Sequence, residues 1–193
     1  MTPILLDMQA FGPYLHQTKI DFTKLGMDSL FLITGATGGG KTSILDAMSF
    51  ALYCRATGGR RSWEEMRCDS ASDDVSTFVE FQFRLGGEVY RFVRSRRVHF
   101  VRGSGRREFR EEHYCKVLQW DPDFQRDMWR ELESGSESQV RRYAEKLLGL
   151  TAEQFSQVIV LPQGDFLRLL RASSREKAEM LRTLFSMTEW VKI

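Results

Sequence analysis

Eight consecutive or near-consecutive residues carry the most legible chemistry in this chain. Gly35, Thr37, Gly38, Gly39, Gly40, Lys41 and Thr42, followed by Ser43, fit the pattern G-x-x-x-x-G-K-[ST] at every required position. Glycines let the backbone turn so tightly that successive N–H groups converge on phosphate oxygens. Lys41 supplies a point charge for the β and γ phosphates, and Thr42 supplies a hydroxyl for Mg²⁺. The pattern implies a bound nucleoside triphosphate with its metal. The competing reading is a glycine-rich turn with an incidental lysine.

The elements around the loop are those the chemistry needs. Residues 29–34 form a short apolar run, read as a buried parallel strand. Residues 42–53 contain no Gly or Pro, and apolar positions at 44, 45, 48, 51 and 52 predict a helix packed between layers. Strand, loop and helix in that order put phosphate at a helix N-terminus.

At 193 residues, with 42% hydrophobic and 28% charged content, the composition is that of a globular protein of one large or two small domains. No apolar run approaches the roughly 18 residues of a membrane-spanning helix. The first residues lack a basic segment followed by a hydrophobic one, so no secretory signal is expected. Cys54, Cys68 and Cys115 are odd in number and widely spaced, and His16, His99 and His113 show no ligand spacing. That argues against a zinc site or disulfide framework and for a cytoplasmic setting.

The net charge of +2 hides an asymmetry. Between positions 91 and 110 lie Arg91, Arg94, Arg96, Arg97, Arg102, Arg106, Arg107 and Arg110 against a single acid, Glu108. Arg60 and Arg61 add a basic pair. Such clusters attract polyanions, which makes Arg60, Arg61, Arg94, Arg96 and Arg97 candidate nucleic-acid contacts. The alternative is a solvated strand face balanced by acids elsewhere, such as Asp69, Asp73 and Asp74.

Along the chain, residues 4–10 and 17–22 read as two strands joined by a turn at Phe11, Gly12, Pro13 and Tyr14. Residues 55–74 read as a flexible polar segment. An antiparallel β-meander spans about residues 75–120, with Val79, Phe81 and Phe83 on one face, a turn at Gly86 and Gly87, and Val89, Arg91 and Val93 opposite Tyr90, Phe92 and Arg94. Residues 140–148 form an amphipathic helix stopped by Gly149, and Thr151 with Gln154 forms a capping box for a short helix. Residues 158–161 read as a strand broken by Pro162, with Gln163 at its end, where ligands collect in open α/β sheets. Ser173 and Glu176 start a last helix, still in progress at Ile193, which suggests a fragment.

Taken together, these motifs resemble the N-terminal ATPase lobe of the SbcC-type double-strand-break repair ATPases, within the ABC and SMC families. The matching segments are residues 10–14, 34–47, 147–155 and, most selective, 158–166 with its Leu161, Pro162, Gln163 and Gly164. The resemblance implies an α/β fold: a P-loop NTPase lobe of ABC/SMC type over residues 1–170, with a P-loop at 35–42, a Q-loop at 160–166 and the root of a coiled-coil helix at 173–193. It implies ATP and Mg²⁺ as cofactors, with Lys41 and Gln163 catalytic and Thr42 and Gln163 on the metal. It further implies a C-terminal lobe, a second head, an SbcD-type nuclease and double-stranded DNA as partners, and no membrane.

The signature motif and an acidic strand ending in Asp-Glu do not occur in the sequence; Ile4, Leu5, Leu6 and Asp7 are followed by Met8. The chain by itself is therefore expected to bind ATP weakly and to turn it over little. A small nucleotide kinase is one rival, and a DNA-binding module that uses nucleotide only as a switch is another.

Overall fold

The structure is a computed structural model that describes residues 1–25, 31–57, 63–72, 74–101, 108–121 and 128–158. Its framework is one six-stranded sheet in the order β2-β1-β3-β4-β5-β6, every neighbouring pair antiparallel. The strands are β1 (Thr2–Gln9), β2 (Thr18–Asp21), β3 (Thr77–Leu85), β4 (Glu88–Val101), β5 (Glu108–Trp120) and β6 (Trp129–Ser134). The expected meander is present, and the opening strand pair joins the same sheet through β1 and β3.

Alternation makes one sheet face apolar. Leu6, Met8, Val79, Phe81, Phe83, Phe92 and Val117 are all fully buried there. Helix α1 (Lys41–Tyr53) and helix α3 (Glu137–Leu148) contribute Ala47, Phe50, Val140 and Ala144 to the same core. Burying each Phe contributes about 1.5–3 kcal/mol. Phe50 sits edge-on to both Phe11 and Trp63, which joins the β1–β2 turn to α2 (Trp63–Met66) across α1.

Four expectations need correction. Residues 31–34 are irregular and exposed, with Leu32 at 84%. A parallel strand needs neighbours to satisfy its backbone, and none of the six described strands pairs with this run. The polar segment after α1 is in part well packed: Trp63 and Met66 are buried, and Arg67 donates to Ser72 O, Val75 O and Thr77 Oγ1. Helix α3 starts at Glu137, earlier than the apolar period indicates, because Ser136 and Gln139 form a capping box. Val158, read as the start of a strand, is the last residue of α4 (Ala152–Val158).

Strand β6 is not among the expected elements; it is an edge strand with much of its surface exposed. The Gly149 stop and the box between Thr151 and Gln154 occur as expected. The Q-loop at 160–166 and the helix at 173–193 lie outside the described residues.

Candidate nucleotide-binding site

The glycine loop runs directly into α1. Gly40 is the N-cap residue at φ 85°, a conformation that disfavours any side chain, and it offers no side-chain cap. The N–H groups of the first turn have no partner within the helix, so the end of α1 can take an anion. Gly38, at φ 81°, makes a second left-handed turn in the loop. Lys41 folds back, its Nζ donating to Gly35 O at 2.9 Å and Ala36 O at 2.7 Å. A phosphate in the loop would offer Lys41 a stronger, charge-assisted partner than these carbonyls. Thr42 is exposed beside it. Glycine torsions, lysine and hydroxyl fit a triphosphate with its metal, so ATP would be held by residues 35–43 and Mg²⁺ by Thr42.

The floor of the loop is the turn between β1 and β2. Phe11 and Tyr14 exchange backbone hydrogen bonds of 3.0 Å, and Gly12 N–H donates to Met66 O. The Tyr14 hydroxyl donates to Gly40 O at 3.2 Å. A Cβ on Gly40 would lie 2.7 Å from Pro13 Cγ, and one on Gly12 would lie 3.1 Å from Ser43 Oγ. Glycine is required at 40 by close approach as well as by torsion.

The far end of α1 is held as tightly. Arg94, on β4, is fully buried, with Nε donating to Ala51 O and an Nη to Leu52 O, each at 2.7 Å. These carbonyls belong to the last turn, where backbone acceptors are orphaned and a cation is favoured. The other Nη lies 3.5 Å from Cys115 Sγ. Burial pushes the Cys54 thiol at the helix C-cap up to about 12, and pushes that of Cys115 up as well.

The flank of α1 carries the segment that leads toward residue 163. Asp46 is buried and accepts from Thr57 N–H at 2.9 Å and the Thr57 hydroxyl at 2.5 Å. Ser156 of α4 donates to Thr57 O, Glu153 pairs with Arg55, and the Tyr53 hydroxyl donates to Leu150 O at 3.1 Å. Trp63 Nε1 donates to Glu137 Oε1 at 2.6 Å, tying α2 to α3.

Of the residues singled out from the sequence, Gly35, Thr37, Gly38, Gly39 and Gly40 form the loop, and Lys41, Thr42 and Ser43 the first turn of α1 that it enters. Gln163, Arg60 and Arg61 lie outside the described residues. Arg94 is corrected: its guanidinium is spent on backbone carbonyls in the core and cannot reach DNA. Arg96 is half-buried and Arg97 exposed, with Arg97 opposite Glu112 in the β4–β5 register. In the same register Glu111 of β5 is the partner of Val98.

Sequence reasoning missed the roles of Tyr14, Asp46 and Arg94. Each had a signal: an aromatic after Gly-Pro, a lone acid within an apolar helix, and an arginine in phase with Tyr90 and Phe92.

Comparison with known proteins gives a consistent result. A protein-family model described as AAA domain matches residues 6–189. The chain is 40% identical over 185 residues, 96% of its length, to the SbcC subunit of nuclease SbcCD from Vibrio cholerae serotype O1. It is 35% identical over all 193 residues to the protein of the same name from Staphylococcus saprophyticus, and 33% to that from Staphylococcus aureus. In each case it spans 18% of the relative's length. With the glycine loop seated on α1, an antiparallel sheet beneath it and the family match over nearly its whole length, the chain belongs to the AAA domain family of P-loop proteins.

Proposed function

We propose that the chain is the ATP-binding N-terminal lobe of an SbcC-type ATPase of the ABC/SMC class, working with an SbcD-type nuclease on DNA ends and hairpins in double-strand-break repair. The observation that carries this reading is the complete loop from Gly35 to Thr42 on an uncapped helix N-terminus. The likeness to the SbcC subunits of SbcCD nucleases across the chain supports the choice of family.

In this reading residues 1–170 form the lobe and residues 173–193 begin a coiled coil. Lys41 neutralises charge on the β and γ phosphates, and Thr42 and Gln163 hold Mg²⁺. When bound, the metal draws charge from the phosphate oxygens. The groups that orient the attacking water come from a C-terminal lobe and from a second head docked across the nucleotide, so that ATP drives head engagement. Arg60, Arg61, Arg96 and Arg97 are the candidate DNA contacts, and the working compartment is the cytoplasm, beside the nucleoid. Phosphoryl transfer depends on positioning, so a lobe without its partners turns ATP over slowly.

The test is nucleotide titration of the chain and its Lys41→Ala variant with a fluorescent ATP analogue. Loss of a charge-assisted contact weakens binding by about 10- to 100-fold. Equal affinities for the two proteins would overturn the proposal.

A further inference from the structure

Resting on the nucleotide reading above, we infer that Tyr14 is a positioning residue for the phosphate loop, its hydroxyl setting the direction in which the Lys41 backbone N–H points. A trans peptide is planar, with its C=O and N–H on opposite sides. The Gly40 carbonyl is held by two donors, the Tyr14 hydroxyl at 3.2 Å and Ile44 N–H at 3.3 Å. Fixing that carbonyl outward from the loop turns the N–H of the next residue, Lys41, to the inside, toward a bound triphosphate.

Tyr14 can perform this task because its own position is set by backbone. Phe11 and Tyr14 exchange two hydrogen bonds, Gly12 N–H donates to Met66 O at 2.6 Å, and Cys68 N–H donates to Ala10 O at 2.9 Å. Pro13 and the Tyr14 ring lie so close to Gly40 that an added Cβ would stand 2.7 to 2.9 Å from them. The turn is thus a rigid strut under the loop. Burial raises the Tyr14 phenol above its usual range, which keeps it a neutral donor.

The experiment compares the full chain with its Tyr14→Phe, Lys41→Ala and Tyr53→Phe variants, measuring affinity for a fluorescent ATP analogue and melting temperature without nucleotide. Tyr53→Phe is the control for a merely structural hydroxyl, since Tyr53 also donates to a backbone carbonyl, that of Leu150. Loss of one neutral hydrogen bond predicts that Tyr14→Phe weakens ATP binding about three- to tenfold. Its melting temperature should fall no further than that of Tyr53→Phe, which should keep wild-type affinity.

Wild-type affinity in Tyr14→Phe, with binding lost in Lys41→Ala, overturns this inference alone. Equal binding by wild type and Lys41→Ala overturns the nucleotide reading and this inference with it. Hydrogen exchange on the wild-type chain gives a second readout that needs no variant. The Lys41 amide should become protected when ATP saturates the loop, and unchanged exchange there overturns the inference.

Discussion

Arg94 Nε donates to the carbonyl of Ala51 across 43 positions of sequence, joining the middle of β4 to the last turn of the helix that begins at the glycine loop. The same guanidinium holds Leu52 O. One side chain thus closes the end of α1 opposite the glycine loop, and ties the arginine-rich strand to that helix.

Replacing Arg94 by Met should leave two buried carbonyls without donors, for a loss of about 2–5 kcal/mol. Arg94→Lys should recover only part of this, because one Nζ on an unbranched stem replaces the separate Nε and Nη that reach the two carbonyls. Urea unfolding of the three proteins checks the order. The salt dependence of any DNA binding should be the same in folded Arg94→Met as in wild type, because a charge that meets no phosphate releases no counterion, and a shallower slope would return Arg94 to the DNA interface.

Gly40→Ala should eliminate nucleotide binding. The left-handed torsion alone costs about 1–2 kcal/mol for an L-residue, and the new Cβ would stand 2.7 Å from Pro13 Cγ. The strand-and-turn floor and the loop would have to separate. Titration with the fluorescent analogue, alongside a circular dichroism spectrum showing a retained fold, is the check.

Asp46→Ala should free the segment after α1 without touching the loop. Thr57 loses both its backbone and hydroxyl acceptor, a change of about 1–3 kcal/mol. Amide exchange should rise at Thr57 and at Ser156, whose hydroxyl reaches Thr57 O. Unaltered exchange at Thr57 would count against the role given to this carboxylate.

The Cys54 thiol makes stability fall at alkaline pH. Its pKa is raised by burial from about 9 to about 12, so the folded chain retains a proton that the unfolded chain releases. The contribution is full below about 9 and is lost as pH rises toward about 12. Urea midpoints measured across this interval should decline, and Cys54→Ala should flatten part of the decline. A parallel profile in the variant would assign the effect to other groups.

The sequence by itself determined the parts whose physics is local. The loop from Gly35 to Thr42 is a motif because each residue type has its own task. The hairpin of β3 and β4 follows from period-2 alternation about Gly86 and Gly87, and the C-terminal end of α3 and the N-terminal end of α4 follow from Gly149 and from Thr151 with Gln154. What only the tertiary structure decided are the choices that depend on distant neighbours. Residues 31–34 carry a strand composition, yet strand pairing is a property of two segments, and no described strand flanks them. Arg94 and Arg97 are the same residue type three positions apart on one strand, yet one lies under α1 and the other faces solvent. Alternation fixes that they differ in face; only the packing of α1 on the sheet decides which face is core, and hence which arginine is free to meet a polyanion.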